Sequence, residues 1–333
     1  MALQGSGQIS FSQIENEFGQ NGERSIGDYR TSQSVGELSN LPLDSGIPTS
    51  GEIRFSDFYG KRLNIVVDMH SGGDEFRKSA KNDKWNNNNL TVIGGFRSKK
   101  EDGSKIIIHV NKKFGSDKSS VNNCAVRTGS WNSSSSIQVD VGGEGEILGA
   151  GGDGGNGGNC TSSGQPGGSG TSGLGIDHNG VTVNVLSGGL IRAGFGGGGG
   201  GGGGRQQDKG SDRQASGGGG GGGQGFPGGS GGDGPGGCAG AQDGSAGDAN
   251  EAGEGGGGGN NAGEAVGAPG GEGGAAGEAG NNGGTGTGGE GSSSRGGFGG
   301  PTGAALRKTN NSISVTINNN GTIYGSTNET TVQ

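Results

Sequence analysis

The most regular stretches of this chain alternate apolar and polar residues. Three pieces align without a gap: 136–149 (SIQVDVGGEGEILG), 180–193 (GVTVNVLSGGLIRA) and 312–325 (SISVTINNNGTIYG). Each has three alternating apolar positions, such as Val181, Val183 and Val185, then a turn glycine (Gly145, Gly189, Gly321) and an isoleucine (Ile147, Ile191, Ile323). Apolar side chains at every second position place one strand face in a core. Each piece is therefore predicted as strand–turn–strand, and three equivalent units are expected to stack into one small sheet.

Upstream, residues 63–141 carry β-branched runs at 63–70, 89–96, 106–111 and 123–127, separated by polar turns at Gly72-Gly73, Asp102-Gly103 and Gly115. These predict strands of a small β-domain. Residues 1–62 hold a different repeat, in which SGQISFSQI at 6–14 returns as SGEIRFSDF at 50–58. Each copy leads to a serine placed to cap a short helix, and Ser12 and Glu15 have capping-box spacing. Ile14 and Phe18 then share a helical face. With Phe11, Ile14, Phe55, Phe58 and Tyr59 as its main apolar groups, this segment has too little material for an independent core. It is expected to dock on a partner through those residues.

Between the strand units lies a region in which neither period holds and glycine dominates. Every third residue is glycine from Gly271 through Gly274, Gly277, Gly280, Gly283, Gly286 and Gly289, and again from Gly225 to Gly240. A Gly-Gly-x form occupies 151–159, with Asp153, Asn156 and Asn159 as the x residues. Three is the period of the polyproline/polyglycine II helix, whose N–H and C=O groups point outward and can pair with parallel-lying neighbours where no side chain intervenes. Collagen shares the glycine spacing but is rich in proline, and this chain has 7 prolines against 91 glycines. The run from Gly271 to Gly289 would reach about 56 Å as one straight helix. Two pure glycine tracts, 196–204 and 217–223, flank the charged segment RQQDKGSDRQAS at 205–216. Two neighbouring glycine helices joined by an exposed charged tip are expected there, with further tips at 161–172 and 291–295.

The predicted fold is thus mainly β plus a glycine-rich polyglycine II helix bundle, with a small N-terminal docking segment containing short helices. The expected division is 1–62 docking segment, 63–141 β-domain, 142–310 glycine bundle framed by the strand repeats, and 311–333 C-terminal strand unit.

Hydrophobic residues are 25% of the 333, too few for one large core. The net charge of −8 sits in the glycine region, and an acidic chain with no basic patch argues against nucleic acid as partner. Cys124, Cys160 and Cys238 form no CxxC pair and are odd in number, so neither a zinc site nor a disulfide framework is indicated. The start has no basic-then-apolar leader, and no apolar run approaches a membrane span. His70, His109 and His178 are isolated, no catalytic constellation is found, and neither enzyme activity nor a cofactor is expected.

The paired SGQISFSQI and SGEIRFSDFYGKR segments, with DYRTSQSV and LSNLPLDSGIP between them, resemble the N-terminal region of virion proteins of T-even-like myophages, particularly those infecting cyanobacteria. The glycine region resembles the distal adhesin of T-even tail fibres. That resemblance implies a sandwich of polyglycine II helices with receptor-binding loops at one end, other tail or fibre proteins as partners, and a receptor in the bacterial outer membrane such as lipopolysaccharide or protein. It leaves a homo-oligomer open. Arg205, Asp208, Lys209, Asp212 and Arg213 are the candidate receptor-binding residues, because the flanking tracts have no side chains to offer and cations at a tip suit phosphate or carboxylate groups. Competing readings are a non-adhesive virion spacer or decoration protein and an ice-binding protein. The x positions carry Asp, Glu, Asn and Ala rather than Thr, which weighs against the latter.

Overall fold

A computed structural model describes residues 3–18, 25–29, 47–48, 50–61, 65–69, 105–118, 122–129, 133–208, 211–262, 264–275, 277–288 and 293–330. The predicted strand at 89–96 lies outside them.

The N-terminal segment folds around its two repeat copies. Helix α1 spans Phe11–Phe18, and single 3-10 turns form at Ile26–Tyr29 and Phe55–Phe58. The cap is Ser10, two residues earlier than Ser12. Its N–H donates to Gln13 Oε1 at 2.7 Å while Gln13 N–H donates to Ser10 Oγ at 3.2 Å. That is the reciprocal pairing of a capping box, in a Ser-x-x-Gln frame. The second copy starts its turn the same way, with Arg54 N–H donating to Asp57 Oδ2 at 2.7 Å.

The strands build a parallel solenoid of stacked coils. Strand β1 (Ile65–Met69) leads. The first coil holds β2 (Lys105–Val110), β3 (Lys113–Gly115) and β4 (Cys124–Arg127). The second holds β5 (Ser136–Val141), β6 (Glu146–Leu148) and β7 (Ser172–Ile176). The third begins with β8 (Val181–Val185) and β9 (Leu190–Arg192). A long excursion follows, carrying β10 (Gly204–Asp208), β11 (Ser211–Ala215), β12 (Asn260–Asn261), β13 (Ala265–Val266) and β14 (Thr287–Gly288), before β15 (Leu306–Lys308) closes the coil. Strands β16 (Val315–Asn319), β17 (Thr322–Tyr324) and β18 (Glu329–Thr330) make the last coil. Each coil gives one strand to each of three sheets, ordered β1-β2-β5-β8-β16, β17-β9-β6-β3 and β18-β15-β7-β4.

Stacking puts like on like. Ile108, Val139, Val183 and Ile317 are register partners along the first sheet, and Phe114, Ile147, Ile191 and Ile323 along the second. Val126, Leu174 and Leu306 do the same along the third, and these rows form one core. The repeat units therefore do not make one sheet, as the alternation predicted. Each bends at its turn, so its two strands enter different sheets. At those turns a Cβ on Gly145 would lie 2.1 Å from Val110 O of the coil beneath, so the stacked backbone itself excludes any side chain.

Two expectations change. The division at 141 cuts through shared sheets, since β2 and β5 pair with each other and β5 pairs with β8. The gapless alignment also fails in the last unit: Val315, not Ile313, lies opposite Val181, while Ile323 stays opposite Ile191. A slip of two residues keeps every side chain on its own face, and the shorter link between β16 and β17 absorbs it.

The glycine region is two excursions from this solenoid, 149–171 after β6 and 193–305 after β9. Their ends stay together: Thr171 N–H donates to Ala150 O at 2.9 Å, and Gly303 N–H donates to Gly194 O at 2.8 Å. Within tract 196–204 the partners rotate with period three. Gly197, Gly198 and Gly199 donate to Gly168, Gly221 and Asn281, and Gly200, Gly201 and Gly202 then donate to Gln165, Gly218 and Gly284 on the same three segments. The carbonyls of Gly198, Gly199 and Gly200 accept from Gly155, Gly271 and Gly297, on three further segments. Tract 217–223 is surrounded likewise: Gly217, Gly218 and Gly219 donate to Gly158, Ala268 and Gln242. The all-glycine tracts are thus the innermost ones, and the one-in-three and two-in-three segments lie outside them. Outward-facing amides are met by x-residue side chains instead. Asp153 Oδ1 accepts from Ser230 N–H at 2.8 Å, Asn156 Oδ1 from Asp233 N–H at 2.9 Å, and Asn282 Oδ1 from Gly299 N–H at 2.8 Å.

The 271–289 run is not one straight piece. It reverses where Glu278 N–H donates to Ala275 O and Gly277 has φ +103°, so that Asn281 N–H donates back to Glu272 O. The glycine register continues through the turn because both arms need it.

Candidate functional site

The described parts of five connections between glycine segments come together at one end of the array: 159–162, 204–208 with 211–215, 235–241, 260–262 with 264–266, and 287–288 with 293–294. The charged segment is not a loose tip. Strands β10 and β11 pair antiparallel, Arg205 opposite Gln214 and Gln206 opposite Arg213. This continues the antiparallel register of the tracts below, where Gly201 N–H donates to Gly218 O and Gly198 N–H to Gly221 O. The glycine array therefore dictates the hairpin's register.

The other connections brace it. Ala239 pairs with Ala215, and Gly204 with Ser293. Asn261 Nδ2 donates to Gln214 O at 3.3 Å, and Ser294 Oγ donates to Thr161 O at 2.5 Å. A disulfide joins Cys160 to Cys238 across 78 residues, contrary to the expectation drawn from the odd cysteine count. The third cysteine, Cys124, is buried in the solenoid, where loss of solvent pushes its thiol up to about 12. With Cys124 set apart by its burial, the other two cysteines are an even pair, each set in a break between glycine runs.

Of the candidate receptor residues, Arg205 and Asp212 form a two-pronged ion pair, Nε and a terminal nitrogen each 2.9 Å from a carboxylate oxygen. Asp212 is held below the ordinary aspartate range, chiefly by the Arg205 hydrogen bonds, and also accepts from Gln214 Nε2 at 2.9 Å. Arg213 pairs with Glu264 at 2.5 Å, a partner from the 260–266 connection that sequence reasoning did not single out. Asp208 lies in β10, and Lys209 is outside the described residues. Among the described residues no group of His, Cys, Asp and Glu is placed to hold a metal ion.

At the opposite end the array leans on the solenoid. Ser116 N–H donates to Phe226 O at 3.1 Å, and the Lys113 ammonium sits 5.6 Å from the centre of the Phe226 ring.

The candidate docking residues divide. Ile14 and Phe58 are fully buried with Leu3, Ile9, Tyr29 and Ile47, while Phe11 and Tyr59 pack partly against them. Tyr29 meets Phe11 and Phe58 edge-on at 6.0 and 6.3 Å. Leu3 N–H donates to Lys61 O at 2.8 Å, so the two repeat copies close on each other. Phe55, 42% exposed, is the member of the set that faces outward.

The model of the phage tail fibre adhesin Gp38 family matches residues 75–328. The chain belongs to that family. As a Gp38-family tail fibre adhesin it is a structural component of the phage virion, located at the tail fibre, facing the host, with a receptor-binding role. Among solved structures it is similar to the crystal structure of the gp37-gp38 adhesin tip complex of the bacteriophage S16 long tail fiber. The two share 19% identity over 90% of this chain and 95% of that one, with a TM-score of 0.42. No curated protein matches in sequence.

Proposed function

We propose that this adhesin grips the host surface with the looped end of a polyglycine II bundle and is held on the fibre through its N-terminal segment. The period-three rotation of hydrogen-bond partners supports the helix type, because three residues per turn bring every third amide back to the same neighbour. The convergence of five braced connections at one end, away from the solenoid, carries the functional reading. Recognition residues usually sit on loops held by a rigid scaffold, and here the scaffold has almost no side chains of its own. Glycine segments of 142–310 then form one unit of function, and residues 1–62 another, with Phe55 as an outward contact for a fibre partner.

The hairpin residues Arg205, Asp208, Lys209, Asp212 and Arg213 are the proposed contacts. Arg205 and Arg213 are already oriented by carboxylates, so an anionic group of a lipopolysaccharide-like receptor meets pre-positioned guanidinium forks. Replacing Arg205, Lys209 and Arg213 together by Ser is expected to slow virion adsorption or change host range without loss of solubility, since the chain is already acidic. Unchanged adsorption would overturn the hairpin's role and move the contacts to 161–172 and 291–295.

A further inference from the structure

The Cys160–Cys238 bond lies at the looped end of the glycine region, not in the solenoid. What it touches is specific. The backbone N–H of Cys160 donates to Ser216 Oγ at 3.4 Å, and the chain directly after Cys238 pairs with β11. Ser216 N–H donates to Ala239 O at 3.0 Å, and Ala239 N–H donates to Gln214 O at 3.2 Å. The cross-link therefore ties two connections, 159–162 and 235–241, against the base of the charged hairpin. Each of these connections is otherwise held by a few hydrogen bonds, mostly backbone to backbone, and neither carries a large aliphatic or aromatic side chain. Such segments open at low free-energy cost.

Phage structural proteins are made in the bacterial cytoplasm, where thiols are kept reduced, and a disulfide persists only outside it. We propose that Cys160 and Cys238 form a redox lock on the looped end, open as a dithiol during synthesis and closed once the particle reaches the medium. Closure is a thiol–disulfide exchange with a low-molecular-weight disulfide of the medium. One cysteine thiolate attacks that disulfide, forming a mixed disulfide and releasing one small thiolate; the second cysteine thiolate attacks the mixed disulfide and displaces the other, and the two protons the cysteines lose end on the two small thiols, so that one small disulfide is consumed for the protein disulfide formed. The locked state holds β10, β11 and their neighbours in the geometry that meets the receptor. This inference rests on the looped end being the receptor-binding end, and the experiment separates the two.

Intact virions are treated with a phosphine reductant or left untreated, then alkylated and mapped for modified cysteines. In parallel, the purified full-length chain is followed by amide hydrogen exchange with and without the reductant. The expected result is protection of both cysteines from alkylation in untreated virions, and severalfold faster exchange on reduction confined to 159–162, 204–216 and 235–241. Adsorption is expected to fall severalfold, with a Cys160→Ser/Cys238→Ser double variant starting at the lower value and ignoring the reductant. Alkylation of both cysteines in untreated virions, or exchange that is the same in both states, would overturn the lock. Local loosening with unchanged adsorption would leave the lock standing and overturn the assignment of this end to the receptor. If the double variant fails to assemble, the alkylation and exchange measurements on the native chain decide alone.

Discussion

A single methyl group is enough to test how the glycine array is held. A Cβ on Gly280 would lie 2.0 Å from Gly197 O, where the neighbouring backbone has no side chain to yield. Overpacking of a filled interior commonly costs about 1–3 kcal/mol, and here the obstacle is a hydrogen-bonded main chain. Gly280→Val is expected to make the whole array sensitive to limited proteolysis, while Glu278→Ala, at an exposed position, leaves the digestion pattern as it was. Equal silence of both would mean that these segments are a loose spacer. Acid stability has a second single-residue test in Asp140. Burial raises its pKa, but donors outweigh burial and hold it below the ordinary value: His109, then Asn184 Nδ2 at 2.6 Å and Gln138 Nε2 at 2.8 Å. A carboxylate whose folded pKa is depressed stabilises the fold fully above its unfolded value, about 3.9, and the benefit disappears as pH falls through the lower folded value. The melting temperature is therefore expected to drop below about pH 4, and Asp140→Asn to flatten that part of the profile. An identical acid limb in the variant would remove Asp140 from the account.

At the scale of elements, the solenoid depends on how the ends of its strands are tied. Arg127 at the end of β4 and Asp177 just past β7 form an ion pair, with side chains 1% and 3% exposed and an Nε–Oδ2 distance of 3.1 Å. Asp177 also accepts from Gly129 N–H at 3.2 Å, and its own N–H donates to Thr128 Oγ1 at 2.9 Å. Removing one partner of a buried pair strands the other charge, at a cost of about 3–5 kcal/mol. Asp177→Ala is expected to lower the denaturant midpoint accordingly. A change of under about 1 kcal/mol would mean that water reaches the arginine, as at surface pairs. The outer ladder of His109, Asp140, Asn184 and Asn318 plays a milder version of the same part, since register places these polar groups directly over one another from coil to coil.

For the molecule as a whole, the two excursions begin and end on hydrogen-bonded neighbours, so the solenoid closes with or without them. Replacing 151–170 and 195–302 by short glycine links is expected to leave a chain with a β-type circular dichroism spectrum and a cooperative melt. The excised glycine region, by contrast, is expected to stay disordered alone. Fixing a backbone costs about 1–2 kcal/mol per residue against about 0.5–1.5 kcal/mol net for each hydrogen bond, and the solenoid supplies the anchoring that this balance lacks. A solenoid that unfolds after the excision would show instead that the array supports the coils.

The sequence by itself determined the local periods. Alternation located the strands, because a strand buried on one face must repeat every two residues. The pure glycine tracts marked the segments in contact with neighbours on all sides, because a backbone met from every direction leaves no place for a Cβ. Composition kept the charged hairpin distinct from its surroundings, and the N-terminal repeat announced two matching turns. Tertiary structure decided whatever depends on which segments meet. The first coil, at 105–127, escaped the repeat because in KIIIHVNKKFG the step from the alternating run to Phe114 is shorter than the step to the isoleucine in the three aligned pieces, and only stacking against β5 and β6 reveals it. The reversal at 275–278 was hidden because a glycine register serves two antiparallel arms as well as one straight one. Cys160 and Cys238 stand 78 residues apart, and Arg213 finds Glu264 from a separate connection. Period-three spacing is the same whichever neighbour a segment faces, so no local pattern could say that these groups would share one end.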